Sequence, residues 1–125
     1  MKPILLVLMI GIASQYAPGV MPAVLNTHYA GRTSYMPPQD LSIYDGFIAM
    51  ESCNELGNEY WLKPENGQWE LFLVTDCSGH SETTHWMLRN NIIVEVDYKT
   101  ALRWDTIGKG IKVELAQLEY GYAPQ

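Results

Sequence analysis

The stretch LFLVTDCSGH, residues 71–80, concentrates side chains that can do chemistry. Its apolar half predicts a buried strand, which is followed at once by Asp76, Cys77, Ser78 and His80. The whole chain has only two cysteines and three histidines, and one of each lies within four residues of Asp76, which marks this segment as a candidate functional site. These residue types suit acid–base catalysis, nucleophilic attack or metal binding.

The thiol of Cys77 has three possible roles. Cys53 and Cys77 form an even pair, and in an exported protein an even pair predicts a disulfide. The bridge would close a loop of roughly two dozen residues and stabilise the fold by about 3 kcal/mol. The alternatives are a Cys77 nucleophile served by His80 or His85, and a zinc site of the same three residues, which lacks a fourth ligand. We expect the disulfide and no metal.

The N-terminal sequence MKPILLVLMIGIA is typical of a short secretory signal peptide. It has one lysine, an apolar run, and small residues at Gly11 and Ala13. We expect a signal peptide over residues 1–13, cleaved after Ala13, and a single domain over 14–125. The alternative is that Ile4–Ile12 forms a buried strand or helix. The run is too short to span a bilayer as a helix, so we expect a secreted protein with no stable membrane insertion.

Composition narrows the function classes. At 125 residues the chain can bury a core of its own, and a hydrophobic fraction of 47% excludes a disordered chain. The net charge is −6 and the eight basic residues are scattered, which argues against a nucleic-acid partner. A neutral or cationic ligand fits this charge better. We expect a monomer without a cofactor.

Short strands and turns dominate the rest of the chain. Alternating apolar residues predict strands near the following ranges: 46–50, 58–63, 69–75, 92–97 and 110–118. PENG at 64–67 predicts a hairpin turn, with Asn66 at positive φ. YKTALRW predicts a helix over 98–104. Several short strands with one helix before the last strand indicate a small barrel.

The order of these segments resembles the double-psi β-barrel domain of rare lipoprotein A-like proteins, expansins and family 45 endoglucanases. The segments that carry the resemblance are ASQYAPG, AMESCNELGNEYWLKPENGQWELFLVTD, VEVDYKTALRW and GKGIKVELAQL. The resemblance extends from about Phe47 to Leu118, with ASQYAPG upstream, and covers roughly two-thirds of the chain. The resemblance implies an all-β fold with small α content: a six-stranded double-psi β-barrel that includes an N-terminal strand and has one short helix before the last strand.

The resemblance also implies a polysaccharide partner. In the family, aspartates at the positions of Asp76 and Asp97 lie in the groove that holds the glycan. Cleavage of a glycosidic bond needs a proton donor and stabilisation of an oxocarbenium-like sugar. We therefore predict Asp76 as general acid and Asp97 as its partner, in lytic transglycosylase- or glycosidase-like cleavage of peptidoglycan or a similar β-linked glycan. Alternatively, Asp76 caps an Asx-turn and Asp97 caps the following helix.

Five further residues are predicted to bind the sugar, and they are Tyr16, Glu51, Ser78, His80 and Trp86. The rings of Tyr16 and Trp86 could stack on sugar faces. Glu51 stands where many rare lipoprotein A-like sequences have histidine, and the loop from Cys77 to Asn91 is longer than the family's. Two alternatives to cleavage stay open: an expansin-like module that binds or loosens glycan, and a barrel used as a protein-interaction scaffold.

Overall fold

Six strands form a closed ring. The computed structural model describes residues 2–26, 40–78 and 81–121. Its strands are β1 Lys2–Gln15, β2 Gly46–Met50, β3 Glu59–Pro64, β4 Glu70–Cys77, β5 Ile92–Val96 and β6 Ile111–Gly121. Its α-helices are α1 Val20–Val24, α2 Ser81–Arg89 and α3 Tyr98–Trp104, and short 3-10 helices cover Leu41–Ile43 and Cys53–Glu55.

The order of strands around the ring is β1-β5-β2-β4-β3-β6. The pairs β1–β5 and β2–β4 are parallel, and the other four are antiparallel. The ring is symmetric in its connectivity. If β1 is exchanged with β4, β2 with β5 and β3 with β6, the same strands remain neighbours and each pair keeps its parallel or antiparallel direction. The ring is therefore built from two halves, β1–β3 and β4–β6, whose strands alternate. Each strand pairs only with strands of the other half.

The interior of the ring is apolar because its strands alternate between inward and outward side chains. The main inward-facing residues are Ala13, Ile48, Leu62, Phe72, Val74, Val94, Val96, Val113 and Leu115, each at most 2% exposed. Ile, Val and aromatic residues pack well on a pleated surface, which explains why these segments form strands. On the outer face, Leu73 and Tyr44 form a second, smaller apolar cluster.

Strand β1 consists of two parts with different surroundings. Ile12 and Ala13 pair with both β5 and β6, Ser14 and Gln15 pair with β5, and Ala13 is 2% exposed. The earlier residues pair with β6 alone, and several large apolar side chains there are exposed, including Ile4 and Ile10 at 54% each. The apolar run of the predicted signal peptide therefore lies in a strand of the ring, but most of its side chains are exposed and not buried.

The predicted strands and the helix over 98–104 are confirmed, each within two or three residues at its ends. The hairpin turn is also confirmed, with Asn66 at a φ of 62°. The prediction of one helix was too low, since the described residues contain three α-helices. The added helices α1 and α2 bury Met21 and Met87 against the ring, at 2% and 1% exposure. None of the helices in the described ranges has the length and apolarity needed to cross a membrane.

Candidate functional site

A row of side chains crosses four neighbouring strands. Ser14 of β1 pairs with Glu95 of β5, and Glu95 pairs with Ala49 of β2. Ala49 in turn pairs with Asp76 of β4. Residues paired in register lie on the same face of a sheet, and the inward positions of these strands hold the apolar core. The row therefore lies on the outer face, with the small side chain of Ala49 between two carboxyl groups.

Tyr16 holds Asp76 from the end of β1. The Tyr16 hydroxyl donates a hydrogen bond of 2.6 Å to Asp76 Oδ2, and the backbone N–H of Cys77 donates one of 2.9 Å to Oδ1. The Tyr16 backbone N–H also donates to the Val96 carbonyl, at 2.8 Å, so Tyr16 is fixed against β5. Two of the predicted site residues, Tyr16 and Asp76, are thus in direct contact.

Glu95 belongs to this site although the sequence did not single it out. Burial and, secondarily, the negative charge of Asp76 raise the pKa of the Glu95 carboxyl above its ordinary value. In the sequence, Glu95 alternates with Val94 and Val96, a pattern that usually marks a solvent-facing position. Its proximity to Asp76 depends on pairing between β5, β2 and β4, which no local pattern reveals. A carboxyl group with a raised pKa is a candidate proton donor.

Asp97 binds the backbone instead of joining the row. Its carboxylate accepts hydrogen bonds from Phe47 N–H at 3.0 Å, from the Thr100 hydroxyl at 2.6 Å and from Thr100 N–H at 3.3 Å. It is 8% exposed and is the N-cap of α3. Gly46 permits this contact, since a Cβ there would lie 2.6 Å from Asp97 Oδ1. The helix-capping alternative therefore describes the side-chain contacts of Asp97.

A separate pocket of about 260 Å³ lies beside Asp97. Its walls are mostly apolar and include Met21 and Phe47, with Lys99 as its cation. No residue of the Ser14–Glu95–Ala49–Asp76 row lines it. We place the candidate site at the row, because two interacting carboxyl groups and a tyrosine hydroxyl meet there.

The predicted disulfide joins Cys53 and Cys77. The two sulfurs are 1.99 Å apart and the Cα atoms 5.0 Å apart. The bridge ties the end of β4, directly after Asp76, to the 3-10 helix that follows β2. Because the thiol is consumed, Cys77 cannot act as a nucleophile or as a zinc ligand. Both alternatives are therefore wrong.

Ser78 and Glu51 lie close together beside the disulfide. The Ser78 hydroxyl donates a hydrogen bond of 2.9 Å to the Glu51 backbone carbonyl and is 2.7 Å from the Thr84 hydroxyl of α2. Ser78 therefore links β4, the end of β2 and α2, and the Glu51 side chain is exposed. His80, the remaining predicted residue of this loop, lies outside the described residues.

Trp86 lies at the other end of the row. It is 42% exposed on α2 and lines a pocket that Ser14 and Gln15 also line. Helix α2 packs against β5, the strand that carries Glu95. The outer face thus runs from Tyr16 and Asp76, across Glu95 and Ser14, to an exposed indole ring.

Comparison with protein-family models gives no match to this chain, and comparison with curated proteins gives none. What the protein does must therefore be argued from the row and its surroundings.

Proposed function

We propose that this chain is a secreted, polysaccharide-active protein that cleaves peptidoglycan or a similar β-linked glycan. The observation that carries the proposal is the hydrogen bond between Tyr16 and Asp76 beside Glu95, on an outer face that ends in Trp86. Two carboxyl groups in unlike environments, next to an exposed aromatic ring, suit the binding and acid-assisted cleavage of a sugar chain.

The fold part of the proposal is that the ring is a double-psi β-barrel, related to rare lipoprotein A-like proteins and expansins. The strand order supports this, because the two halves β1–β3 and β4–β6 alternate around the ring with the same pairing directions. Two interlocked three-strand units, joined to each other by two parallel pairs, are what such a barrel requires. The motifs around Asp76 and Asp97 support the same assignment.

The chemistry assigns one task to each carboxyl group. Glu95, whose pKa is raised, protonates the leaving glycosidic oxygen as the bond to the anomeric carbon breaks. Asp76, oriented by Tyr16, stabilises the positive charge that develops on the sugar. Water, or a hydroxyl group of the same sugar, then adds to the anomeric carbon, and its proton returns to Glu95. The sequence predicts Asp76 as the proton donor, and the experiment below distinguishes the two assignments.

The location and partners follow from the same features. The Cys53–Cys77 disulfide suits an oxidising compartment, and the apolar run at the N-terminus suits export. A cell-wall glycan is a partner found in that compartment. We propose that the protein acts as a monomer, without a nucleic-acid partner.

Cleavage assays over a pH series test the proposal. The substrates are purified cell-wall sacculi and soluble β-1,4-linked oligosaccharides, with products detected by mass spectrometry. We expect cleavage by the wild type, and a loss of about 10² to 10⁴ in rate for Glu95→Gln. The proton donor also sets the alkaline limit of the pH–rate profile, so this limit should disappear in Glu95→Gln and persist, shifted, in Asp76→Asn.

Matched controls are Glu65→Gln and Asp105→Asn, two exposed carboxyl groups away from the row. Both should cleave like the wild type. Loss of the alkaline limit in Asp76→Asn alone would assign the proton donor to Asp76. Binding to glycan without cleavage by the wild type would support the expansin-like alternative instead. Neither binding nor cleavage of any glycan would refute the proposal.

A further inference from the structure

We propose that Trp86 and Lys109 form a second sugar subsite, one that selects a sugar bearing a carboxylate. This inference rests on the proposed function and deepens it. The subsite is a pocket of about 300 Å³ between α2 and the loop before β6, floored by Ser14 and Gln15 of β1. Ligand pockets commonly combine an aromatic wall with a few polar or charged groups that set the orientation of the ligand.

The pocket is continuous with the carboxyl row. Ser14 lines it and is also the register partner of Glu95 on the neighbouring strand. A glycan whose scissile bond lies at Glu95 therefore reaches the pocket with its next units.

The loop that carries Lys109 is held against β1. The backbone N–H of Gly108 donates a hydrogen bond of 3.0 Å to Gln15 Oε1, and Lys109 N–H donates one of 3.0 Å to the Thr106 carbonyl. Gly108 and Gly110 both have positive φ, at 76° and 72°, which a tight loop of this kind requires. Lys109 is therefore placed at the pocket by a fixed turn.

The two walls of the pocket have different chemistry. The Trp86 ring is 42% exposed and offers a flat apolar face on which a pyranose can lie. Within the described ranges Lys109 forms no ion pair, so its ammonium group is available for a carboxylate. The net charge of the chain is −6, but salt screens charges that lie more than about 8 Å from the ligand, so most of these charges repel an anionic ligand only weakly. At this pocket, local charge and not net charge sets the preference.

Two matched pairs of tetrasaccharides test the inference by calorimetric titration of the full chain. One pair is β-1,4-linked glucose and β-1,4-linked glucuronic acid. The other is chitotetraose and the alternating N-acetylglucosamine–N-acetylmuramic acid chain, whose carboxylate lies on a lactyl ether. We expect the charged member of one pair to bind about 5-fold more tightly or better, and the pair that shows this identifies the source of the carboxylate.

The variants assign that preference to the two walls. Lys109→Gln should abolish the preference for the charged member, while the exposed Lys112→Gln should keep it. Trp86→Ala should weaken binding of both members by about 10-fold, and Leu88→Ala, at 64% exposure on the same helix, should not. Trp86→Tyr should retain most of the affinity and serves if the alanine variant does not fold.

Equal affinity for the charged and neutral members of both pairs, or a preference that survives Lys109→Gln, would overturn the inference while leaving the proposed function standing. Failure of all four tetrasaccharides to bind, together with no cleavage, would overturn both.

Discussion

The hydroxyl of Tyr16 lies 2.6 Å from Asp76 Oδ2 and joins residues 60 positions apart. It connects the end of β1 to the end of β4, two strands that are not neighbours in the ring. Tyr16→Phe removes the hydroxyl and keeps the ring. We expect the variant to lose about 1 kcal/mol of stability and about 10-fold in cleavage rate, since one hydrogen bond to a charged group is lost.

Denaturant unfolding and initial rates measure the two effects of Tyr16→Phe. Tyr98→Phe is the control, because Tyr98 lies on α3 and outside the row. An unchanged rate in Tyr16→Phe would remove Tyr16 from the site.

Glu95 should make stability depend on pH. Burial and Asp76 raise the pKa of Glu95 from its ordinary value of 4.5, so the folded state binds this proton more tightly than the unfolded chain. The stability that protonated Glu95 contributes is therefore fully present below the ordinary pKa, and it is lost as the pH rises through the raised pKa of the folded state. We expect the stability of Glu95→Gln relative to wild type to rise as the pH increases from the ordinary pKa of the glutamate carboxyl to its raised value in the folded state. A flat difference across a series of urea melts would contradict this.

Asp97 should act on stability. Asp97→Ala removes the N-cap of α3 and leaves the partly buried amide of Phe47 without its side-chain acceptor. We expect a loss of about 2 to 3 kcal/mol in the free energy of unfolding. The cleavage rate per folded molecule should survive. A rate that falls by about 10² or more in molecules shown to be folded would restore the catalytic role predicted from the sequence.

The disulfide should stabilise the fold and hold the end of β4. Replacing both Cys53 and Cys77 by serine opens a loop with a sequence separation of 24. The expected cost is about 3 kcal/mol. Denaturant midpoints of the variant and the oxidised wild type measure it, and the reduced wild type should unfold with the variant. If the variant and the oxidised wild type unfold at the same midpoint, the bridge contributes nothing to stability.

The start of the folded domain can be measured by truncation. A chain that begins at Gly11 keeps the pairs of Ile12 and Ala13 with β5 and β6, whereas a chain that begins at Ser14 loses them. We expect the second chain to be about 3 kcal/mol less stable than the first. Cleavage after Ala13, as predicted from the sequence, would remove the pairs of Ile12 and Ala13 with β5 and β6. Mass spectrometry of the protein from an export-competent host tests whether the chain is cleaved there.

Local sequence was sufficient for the strands and for the disulfide. The apolar run before Asp76 predicts β4 because it is too short and too rich in branched and aromatic residues for a helix. Two cysteines allow only one pairing. YKTALRW predicts α3 through its spacing, and Asp97 stands where an N-cap should stand.

The candidate site could be predicted only in part, because it depends on pairing between distant strands. Glu95 reaches Asp76 across Ala49 through two different strand pairings, one antiparallel and one parallel. An aspartate at position 97 can either face a ligand groove or cap the following helix, and the residue type alone does not distinguish the two roles. The sequence allowed a helical turn in this segment but did not predict the nine residues of α2, because Trp86, Met87 and Leu88 are consecutive and give no helical period.

The alternation of the two halves around the ring has a consequence for folding. Strands β1, β2 and β3 never pair with one another, so a growing chain that has emerged only as far as Pro64 can form no part of the sheet. The sheet begins when β4 becomes available to β2 and β3, and β1 finds its first partner only with β5. Such long-range pairing makes folding slow, since loop closure must precede most of the favourable contacts. The first half on its own should remain unfolded, and mixing it with a separate second half should restore the ring.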